Sequence, residues 1–397
     1  MQHFFSFRIS KKHCILIKKH ITKALCISLL IFHSCKDGNQ NATEVQVEQN
    51  SNATLSYAKG FQIDNYGDFK ILKVSSAWRG STKTFKYLLH KKGSPAPDSI
   101  QADAVITTPI SSIVVTSTTH IPALELLGVE KSLVGFPNLD YISSEKTRAL
   151  IDAGAIQELG QNEAINTEKA IDLNPDVVVS FGVEGENKTL SSLQRAHIPV
   201  IYNGDWTENS PLGQAEWIKF FAALYDKEAV ADSIFNTIET QYNNLKEKAL
   251  KATNQPTVLS GAMFKDVWYL PKGDSWAAQL VADANANYLY KNTSGTGSAA
   301  LSIESVLNTA QKADFWIAPN AFESYDALAN TNDAYTRFDA FKNKRIYSFA
   351  SAKGATGGML YYELAPSRPD WVLEDLVAIF HPELSETQQP HFFYPLD

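Results

Sequence analysis

Short apolar runs alternate with helical patterns along most of the chain. The runs have the length of buried strands, and the segments between them repeat apolar residues every three or four positions. Strand–helix alternation predicts a parallel-type α/β sheet in each half. Predicted strands cover 112–117, 132–137, 176–182, 199–204, 257–263, 267–271, 313–320 and 345–350. Predicted helices cover 121–128, 275–284 and 303–310. Residues 61–92 also alternate, and we interpret them as strands that lead into the first lobe.

One uninterrupted helical pattern separates the two halves. It covers 228–252, contains no Gly or Pro, and at about 1.5 Å per residue would be roughly 37 Å long. Its apolar positions are Val230, Ile234, Ile238, Tyr242, Leu245 and Ala249. The pattern predicts two Rossmann-like α/β lobes, 57–226 and 255–397, joined by one long helix within 227–254. We expect the ligand cleft between the lobes.

The first residues are typical of an export signal. A basic stretch precedes the apolar core Ala24–Phe32, and Cys35 follows directly after His33 and Ser34. We interpret 1–34 as a signal peptide, Cys35 as the site of lipid attachment, and the polar segment 35–56 as a flexible tether. The alternative is a secretory signal with an incidental cysteine, because Phe32 and His33 are bulky for a lipoprotein cleavage box.

Charge and cysteine content exclude several classes of function. The whole chain carries −7, but six positive charges lie in 1–34, so the remainder carries −13 and would not attract nucleic acid. No cysteine follows Cys35, which leaves no disulfide and no all-cysteine metal site in the mature chain. The histidines are scattered without an HxH or HxxxH pair, so we expect no dedicated metal site and no cofactor.

Enzyme signatures are missing as well. The sequence contains no GxSxG, Walker A or GxGxxG motif, and the mature chain has no thiol nucleophile beyond Cys35. We therefore expect a protein that is not an enzyme. A hydrolytic enzyme of the cell envelope remains the alternative from another class, since acids paired across a cleft cannot be recognised from sequence.

Four segments together resemble a known family. They are SSIVVTSTTHIPALELLGVEKSLVGFP, the stretch from INTEKAI to LNPDVVVSFG, the long helix, and YYELAPSRPDWVLEDLVAIFHPEL. The chain resembles, over roughly 60–390, the periplasmic binding proteins of iron-complex and cobalamin ABC importers, the group with a rigid inter-lobe helix. The last segment is similar to members from the Bacteroidetes.

The resemblance implies a membrane permease that docks on the lobe tips through one glutamate on each lobe. By position these are Glu168 and Glu304. Asn166 and Ser302 are good N-caps, which places each glutamate in a first helical turn where it can accept a bidentate arginine. The alternative is that each acid only complements the helix dipole.

Candidate ligand contacts follow the predicted strand ends, where ligands bind in open α/β sheets. Many of them are aromatic, which suits large, flat or chelated ligands. The candidates are Thr118, Thr119, His120, Phe136, Tyr141, Phe181, Trp206, Phe264, Trp268, Tyr269, Phe322 and Tyr361. For His120 we favour a structural role, as a helix cap or half-buried side chain, over ligand contact. Few cationic side chains lie near these candidate positions, so a neutral siderophore or a corrinoid remains a candidate ligand.

The sequence thus predicts a substrate-binding lipoprotein of an ABC importer that carries a ferric siderophore or similar iron complex. Cobalamin or another corrinoid is the alternative ligand, and capture without a permease is the alternative route. We expect a monomer that contacts the membrane through its lipid anchor. It would be exported and face the periplasm, with exposure at the cell surface left open.

Overall fold

The computed structural model describes residues 51–52, 54–162, 164–182, 185, 188–385 and 389–397. All of them belong to one unit of the chain, Val47–Asp397. The predicted signal peptide 1–34, Cys35 and most of the predicted tether lie outside the described residues.

The N-terminal lobe contains two large sheets. Its strands are β1 (Ser51–Asn52), β2 (Phe61–Asn65), β3 (Phe69–Val74), β4 (Phe85–Lys91), β5 (Ala104–Thr108), β6 (Ile113–Val115), β7 (Leu133–Phe136), β8 (Gln157–Glu158), β9 (Gly160–Gln161), β10 (Ala164–Ile165), β11 (Val177–Phe181) and β12 (Val200–Asn203). One sheet has the order β12-β11-β6-β7-β8, and all neighbours are parallel. Its central strands are almost entirely apolar and buried, as expected for a sheet covered on both faces.

The early strands form a sheet of their own. Strands β1 to β5 pair in chain order, antiparallel except for the last pair. The sequence predicted strands here but gave no sign of a second sheet, because the alternating pattern of β2 to β4 does not reveal their partners. The buried Lys70 of β3 ties this sheet to the start of the long helix through Asp226 (2.6 Å) and Glu228.

Helices cover the parallel sheet and connect the lobes. Those before the connector are α1 (Ile121–Leu126), α2 (Glu145–Asp152), α3 (Thr167–Leu173), α4 (Lys188–Arg195), α5 (Pro211–Ala215) and α6 (Ile218–Tyr225). The connector α7 (Glu228–Ala249) is uninterrupted over 22 residues and ends three residues before the predicted position. It packs against α6 and against the last long helix of the C-terminal lobe.

The C-terminal lobe repeats the α/β layout. Its strands are β13 (Thr257–Ser260), β14 (Ala262–Phe264), β15 (Val267–Pro271), β16 (Asn287–Tyr288), β17 (Ser298–Leu301), β18 (Phe315–Ile317), β19 (Ile346–Ser348) and β20 (Tyr394–Pro395). Its helices are α8 (Trp276–Asp283), α9 (Ile303–Ala310), α10 (Tyr325–Thr331), α11 (Asp339–Lys342), α12 (Leu360–Leu364) and α13 (Pro369–Phe380).

Two sheets divide these strands. The order β16-β13-β18-β19-β20 is parallel except for its last pair. Strands β14, β15 and β17 form a separate antiparallel sheet, and several of its side chains are aromatic. The predicted strand 257–263 is therefore two strands, which belong to different sheets. The α/β class and the two lobes are confirmed. Within the part of the chain that the structure describes, no helix is both long enough and apolar enough to cross a bilayer.

Candidate functional site

A cavity of about 420 Å³ lies at the carboxyl ends of the parallel strands of the C-terminal lobe. Loops after β13, β18 and β19 form its floor, while the β14–β15 hairpin, α8 and α12 form its sides. It is lined by Ser260, Gly261, Ala262, Phe264, Tyr269, Pro271, Trp276, Ala277, Leu280, Val281, Ser298, Ile317, Ala318, Asn320, Phe349, Tyr361, Tyr362, Val372, Leu376 and Phe393. The predicted contacts Phe264, Tyr269 and Tyr361 are thus brought together.

A second cavity, of about 220 Å³, has walls from both lobes. The N-terminal lobe supplies residues at the ends of β6, β7 and β11 together with nearby loops, and the segment before α12 supplies the rest. Its lining is Thr116, Ser117, Thr118, Phe136, Tyr141, Asn162, Phe181, Gly358, Met359 and Tyr362. Because Tyr362 lines both cavities, the two are adjacent, and we call them together the cleft. The larger cavity is lined by the C-terminal lobe alone, and the smaller one by both lobes.

Exposed aromatic rings mark this cleft. Large side chains that remain accessible include Tyr141 (62%), Phe264 (61%), Tyr362 (54%) and Tyr269 (44%). All four line one of the two cavities. A concentration of accessible apolar rings in a concave surface is typical of a ligand-binding site.

One segment of the C-terminal lobe crosses to the N-terminal lobe. We call residues 354–363 the inter-lobe strap. Thr356 donates a hydrogen bond to the carbonyl of Asp140 (2.7 Å), and the carboxylate of Glu363 accepts from the backbone N–H groups of Ser143 (2.7 Å) and Ser144 (3.0 Å). Backbones approach closely here, since a Cβ on Gly354 would lie 2.7 Å from Ser143 Cα.

Burial dominates the electrostatics of the strap. It raises the pKa of the Glu363 carboxyl to about 7, against the opposing effect of the hydrogen bonds from Ser143 and Ser144, and nearby Glu125 raises it further. Glu125 itself accepts hydrogen bonds from the Ser144 and Thr147 hydroxyls. The strap therefore brings a carboxyl group that titrates near neutral pH into the junction of the lobes.

Another inter-lobe contact is exposed. The guanidinium of Arg79 donates to the hydroxyl (3.2 Å) and carbonyl (3.3 Å) oxygens of Thr296 and lies 5.5 Å from the ring of Trp206. This contact joins loops of the two lobes without burying a charge.

Two predicted ligand contacts are corrected by burial. His120 is fully buried against Phe221, with ring centroids 5.3 Å apart, and neither ring nitrogen has a hydrogen-bond partner among the described residues. Burial lowers its pKa to about 3. Trp268 is fully buried against Trp316 and donates to the Ser260 carbonyl (3.1 Å). Side chains alternate along β15, so Trp268 faces the core and Tyr269 faces the cavity.

Three further predicted contacts lie outside the two cavity linings. Thr119 donates to the buried carboxylate of Asp205 (2.9 Å), whose pKa burial raises to about 6. The backbone N–H of Trp206 donates to the same carboxylate (2.6 Å). Phe322 packs edge-on against Tyr335, with ring centroids 6.0 Å apart. Thr119 and Trp206 thus belong to a polar cluster around Asp205 in the N-terminal lobe.

Sequence reasoning missed other residues of the cleft. Tyr362, Asn162, Met359, Trp276 and Phe349 line the cavities but are absent from the predicted contacts. The sequence does indicate Tyr362, because two consecutive tyrosines at the start of a helix place their rings on different faces of the helix. Asn162 has none, because nothing local to it indicates that its loop folds into the cleft.

Helices α3 and α9 carry the predicted glutamates in matching positions. Asn166 and Ser302 cap α3 and α9, accepting from the N–H groups of Lys169 (3.0 Å) and Ser305 (3.2 Å). Glu168 and Glu304 are each the second residue of their helix and are exposed. Hydrogen bonds from its own N–H and the Ser302 hydroxyl lower the pKa of Glu304. Their predicted docking role stays a proposal.

Within the described parts of the chain, no group of three or more His, Cys, Asp or Glu side chains is arranged to hold a metal ion. The cleft offers hydroxyl, amide and aromatic groups instead.

Two α/β lobes, one connecting helix and a cleft lined from both sides define a two-lobed binding protein. The family model described as periplasmic binding protein matches residues 113–352, and the chain belongs to this family. It is 27% identical to an uncharacterised lipoprotein of Methanocaldococcus jannaschii over 90% of this chain and 89% of that protein.

Solved structures share the fold. One is the triscatecholate siderophore-binding protein of Bacillus subtilis in complex with ferri-bacillibactin (TM-score 0.53, 18% identity, 70% of this chain and 94% of that chain). Another is a periplasmic haem-binding protein of Pseudomonas aeruginosa (TM-score 0.54, 18% identity, 72% and 98%). At these identities the likeness establishes the fold alone.

Proposed function

We propose that this chain is the substrate-binding component of an ABC importer and carries a ferric siderophore or similar iron complex in its inter-lobe cleft. The observation that carries the proposal is the cleft itself, whose two cavities share Tyr362 and whose walls come from both lobes. Exposed rings at Tyr141, Phe264 and Tyr269 suit a ligand with a large organic shell. Structures of the same fold carry ferri-bacillibactin or are named for haem binding.

Delivery would use the lobe tips. Glu168 and Glu304 occupy equivalent first-turn positions on α3 and α9, each behind a side-chain cap and each exposed to solvent. Two carboxylates on separate lobes can pair with two arginines of a permease only when the lobes hold the right separation. Docking would thereby depend on the state of the cleft.

Attachment to the cell envelope is the third part of the proposal. The chain would be exported and lipidated at Cys35, and its similarity to a protein named as a lipoprotein supports this. Mass spectrometry of the mature N-terminus tests it directly. A lipid-modified Cys35 is the expected result, and an unmodified terminus beyond Cys35 would contradict it.

Equilibrium binding tests the ligand. Intrinsic fluorescence is recorded while ferric siderophores of several chemical types, haem and cobalamin are titrated into the purified chain. We expect at least one iron complex to bind with a dissociation constant below about 1 µM, which corresponds to roughly 8 kcal/mol. Binding of cobalamin alone would replace the iron complex by a corrinoid, and binding of no compound would refute the proposal.

Uptake in cells tests delivery. The double variant Glu168→Ala/Glu304→Ala should bind ligand as the parent protein does but should lose uptake. The matched control Asp172→Ala/Ser305→Ala changes exposed positions of the same two helices. Unimpaired uptake by the glutamate double variant would show that these carboxylates are not the docking contacts.

A further inference from the structure

The larger cavity has no charged side chain in its lining, all of which lies in the described part of the chain. Aromatic residues such as Phe264, Tyr269, Trp276, Tyr361 and Tyr362 provide much of its surface. Hydroxyl and amide groups are the strongest polar groups present. Any charge placed here would lose water without gaining an ionic partner, at a cost of several kcal/mol.

Nearby cations are engaged elsewhere or remain in water. Lys353 is paired with Glu323, and Arg79 is held by Thr296. Lys265 is exposed, and its ammonium lies 5.5 Å from the ring of Phe264. None of these three side chains lines the cavity. The cavity is therefore suited to an uncharged, apolar part of a ligand.

The smaller cavity mixes polar and aromatic residues, and its lining also contains no charged side chain. Thr116, Ser117, Thr118 and Asn162 lie in its wall beside aromatic residues such as Phe136. The buried side-chain oxygen of Asn162 has no hydrogen-bond partner among the described residues. An unpaired buried acceptor costs about 1–3 kcal/mol, which a ligand donor would recover once the Asn162 amide turned toward the cavity. This part of the cleft is suited to an uncharged group that carries a hydrogen-bond donor.

We propose that the ligand is electroneutral and has two unlike ends, an apolar ring- or alkyl-bearing end in the larger cavity and a hydrogen-bonding end held by Asn162 in the smaller one. Tyr362 lines both cavities and lies where the two ends meet. The inference rests on the proposed function, since it specifies the ligand of the same cleft. Among ferric complexes it selects neutral chelates over anionic ones.

Matched ligands test the charge. An electroneutral ferric trihydroxamate and a trianionic ferric tris-catecholate are compared by fluorescence titration at low and high salt. We expect the neutral complex to bind at least tenfold more tightly, with an affinity that does not change with salt. Equal or tighter binding of the tris-catecholate would overturn the inference, while the proposed function would stand.

A neutral apolar dye distinguishes failure of the proposed function from failure of the inference about the larger cavity. Nile red should bind the larger cavity with increased fluorescence, and a neutral ligand should displace it. If no iron complex or corrinoid binds but Nile red does, the proposed function fails and the inference about the cavity stands. If Nile red does not bind at all, the inference fails.

Two pairs of variants test the contribution of each cavity to ligand binding. Ala277→Glu places a carboxylate in the larger cavity, and Ala277→Gln places a neutral group of similar size there. We expect the glutamate variant to bind neutral ligand at least tenfold more weakly than the glutamine variant. Asn162→Ala should weaken binding about fivefold, whereas Gln161→Ala, on the exposed strand β9, should not. Equal affinities within either pair would contradict the corresponding part of the inference.

Discussion

The two lobes share a scaffold but present different chemistry to the cleft. Each has a parallel sheet whose strand ends face the cleft, and each carries a capped helix with a glutamate in its first turn. At the strand ends the N-terminal lobe combines the hydroxyl residues Thr116, Ser117 and Thr118 with aromatic rings, whereas the C-terminal lobe offers mainly aromatic and aliphatic side chains. The scaffold therefore sets where a ligand lies, and the strand-end residues set which ligand is accepted.

Contacts between the lobes differ as much as their linings do. The strap buries Glu363 against two backbone N–H groups, while Arg79 reaches Thr296 in the open. Loss of a buried acceptor leaves its donors unpaired and therefore costs more stability than loss of an exposed contact of similar geometry. We infer that the strap holds the lobes together and that the Arg79 contact can be exchanged at low cost.

Replacing Glu363 should give the largest effect. Glu363→Ala leaves the N–H groups of Ser143 and Ser144 unsatisfied in a buried junction, which should cost about 3 kcal/mol of unfolding free energy. Urea denaturation at pH 7 measures the loss. The control Arg79→Ala should cost no more than about 0.5 kcal/mol. Equal losses for the two variants would remove the distinction between the contacts.

The strap also makes stability depend on pH. Because the Glu363 pKa rises from 4.5 to about 7 on folding, the folded chain binds more protons than the unfolded chain between these values. Its contribution to stability therefore falls as pH rises from about 4.5 to about 7. Glu363→Gln should remove that slope, which a series of melts across this range would measure. An unchanged slope would contradict the shifted pKa.

Buried histidines provide a second contrast between the lobes. Within the described parts of the chain, His120 in the N-terminal lobe has no hydrogen-bond partner for its ring, whereas His381 in the C-terminal lobe has a ring nitrogen 3.0 Å from the Ala284 carbonyl. His120→Leu should raise stability at pH 7 by about 1–3 kcal/mol, because it removes buried ring nitrogens that have no hydrogen-bond partner among the described residues. His381→Leu should cost about 1 kcal/mol there.

The effect of His120 on stability should become measurable at acidic pH. Its pKa is about 3 in the folded chain against 6.5 in the unfolded chain, so the unfolded chain binds more protons below pH 6.5 and stability is lost as pH falls. At about 1.4 kcal/mol per pH unit, the stability difference between His120→Leu and the parent should grow by about 2 kcal/mol from pH 7 to pH 5. Parallel pH profiles for variant and parent would show that His120 is not buried as a neutral group.

The sequence predicts the scaffold better than the cleft. Periodicity located α7 to within three residues at its end and α9 at its observed bounds, because both patterns are local. It did not reveal that β2 to β5 form a separate sheet, since pairing joins residues far apart. The same limit applies to Asn162, which reaches the cleft only through the fold of its loop. Trp268 is a different kind of miss, because alternation along 267–271 already separates it from Tyr269.

The caps at the lobe tips should give the smallest effects and should give them equally. Asn166→Ala and Ser302→Ala each remove one side-chain acceptor from a first helical turn, which should cost about 1 kcal/mol. The sites lie on different lobes without shared partners, so the losses should add in the double variant. Asp172→Ala and Ser305→Ala, exposed in the same helices, serve as controls within about 0.5 kcal/mol of the parent. A loss in only one lobe, measured by urea denaturation, would show that the two tips are alike in geometry but not in energy.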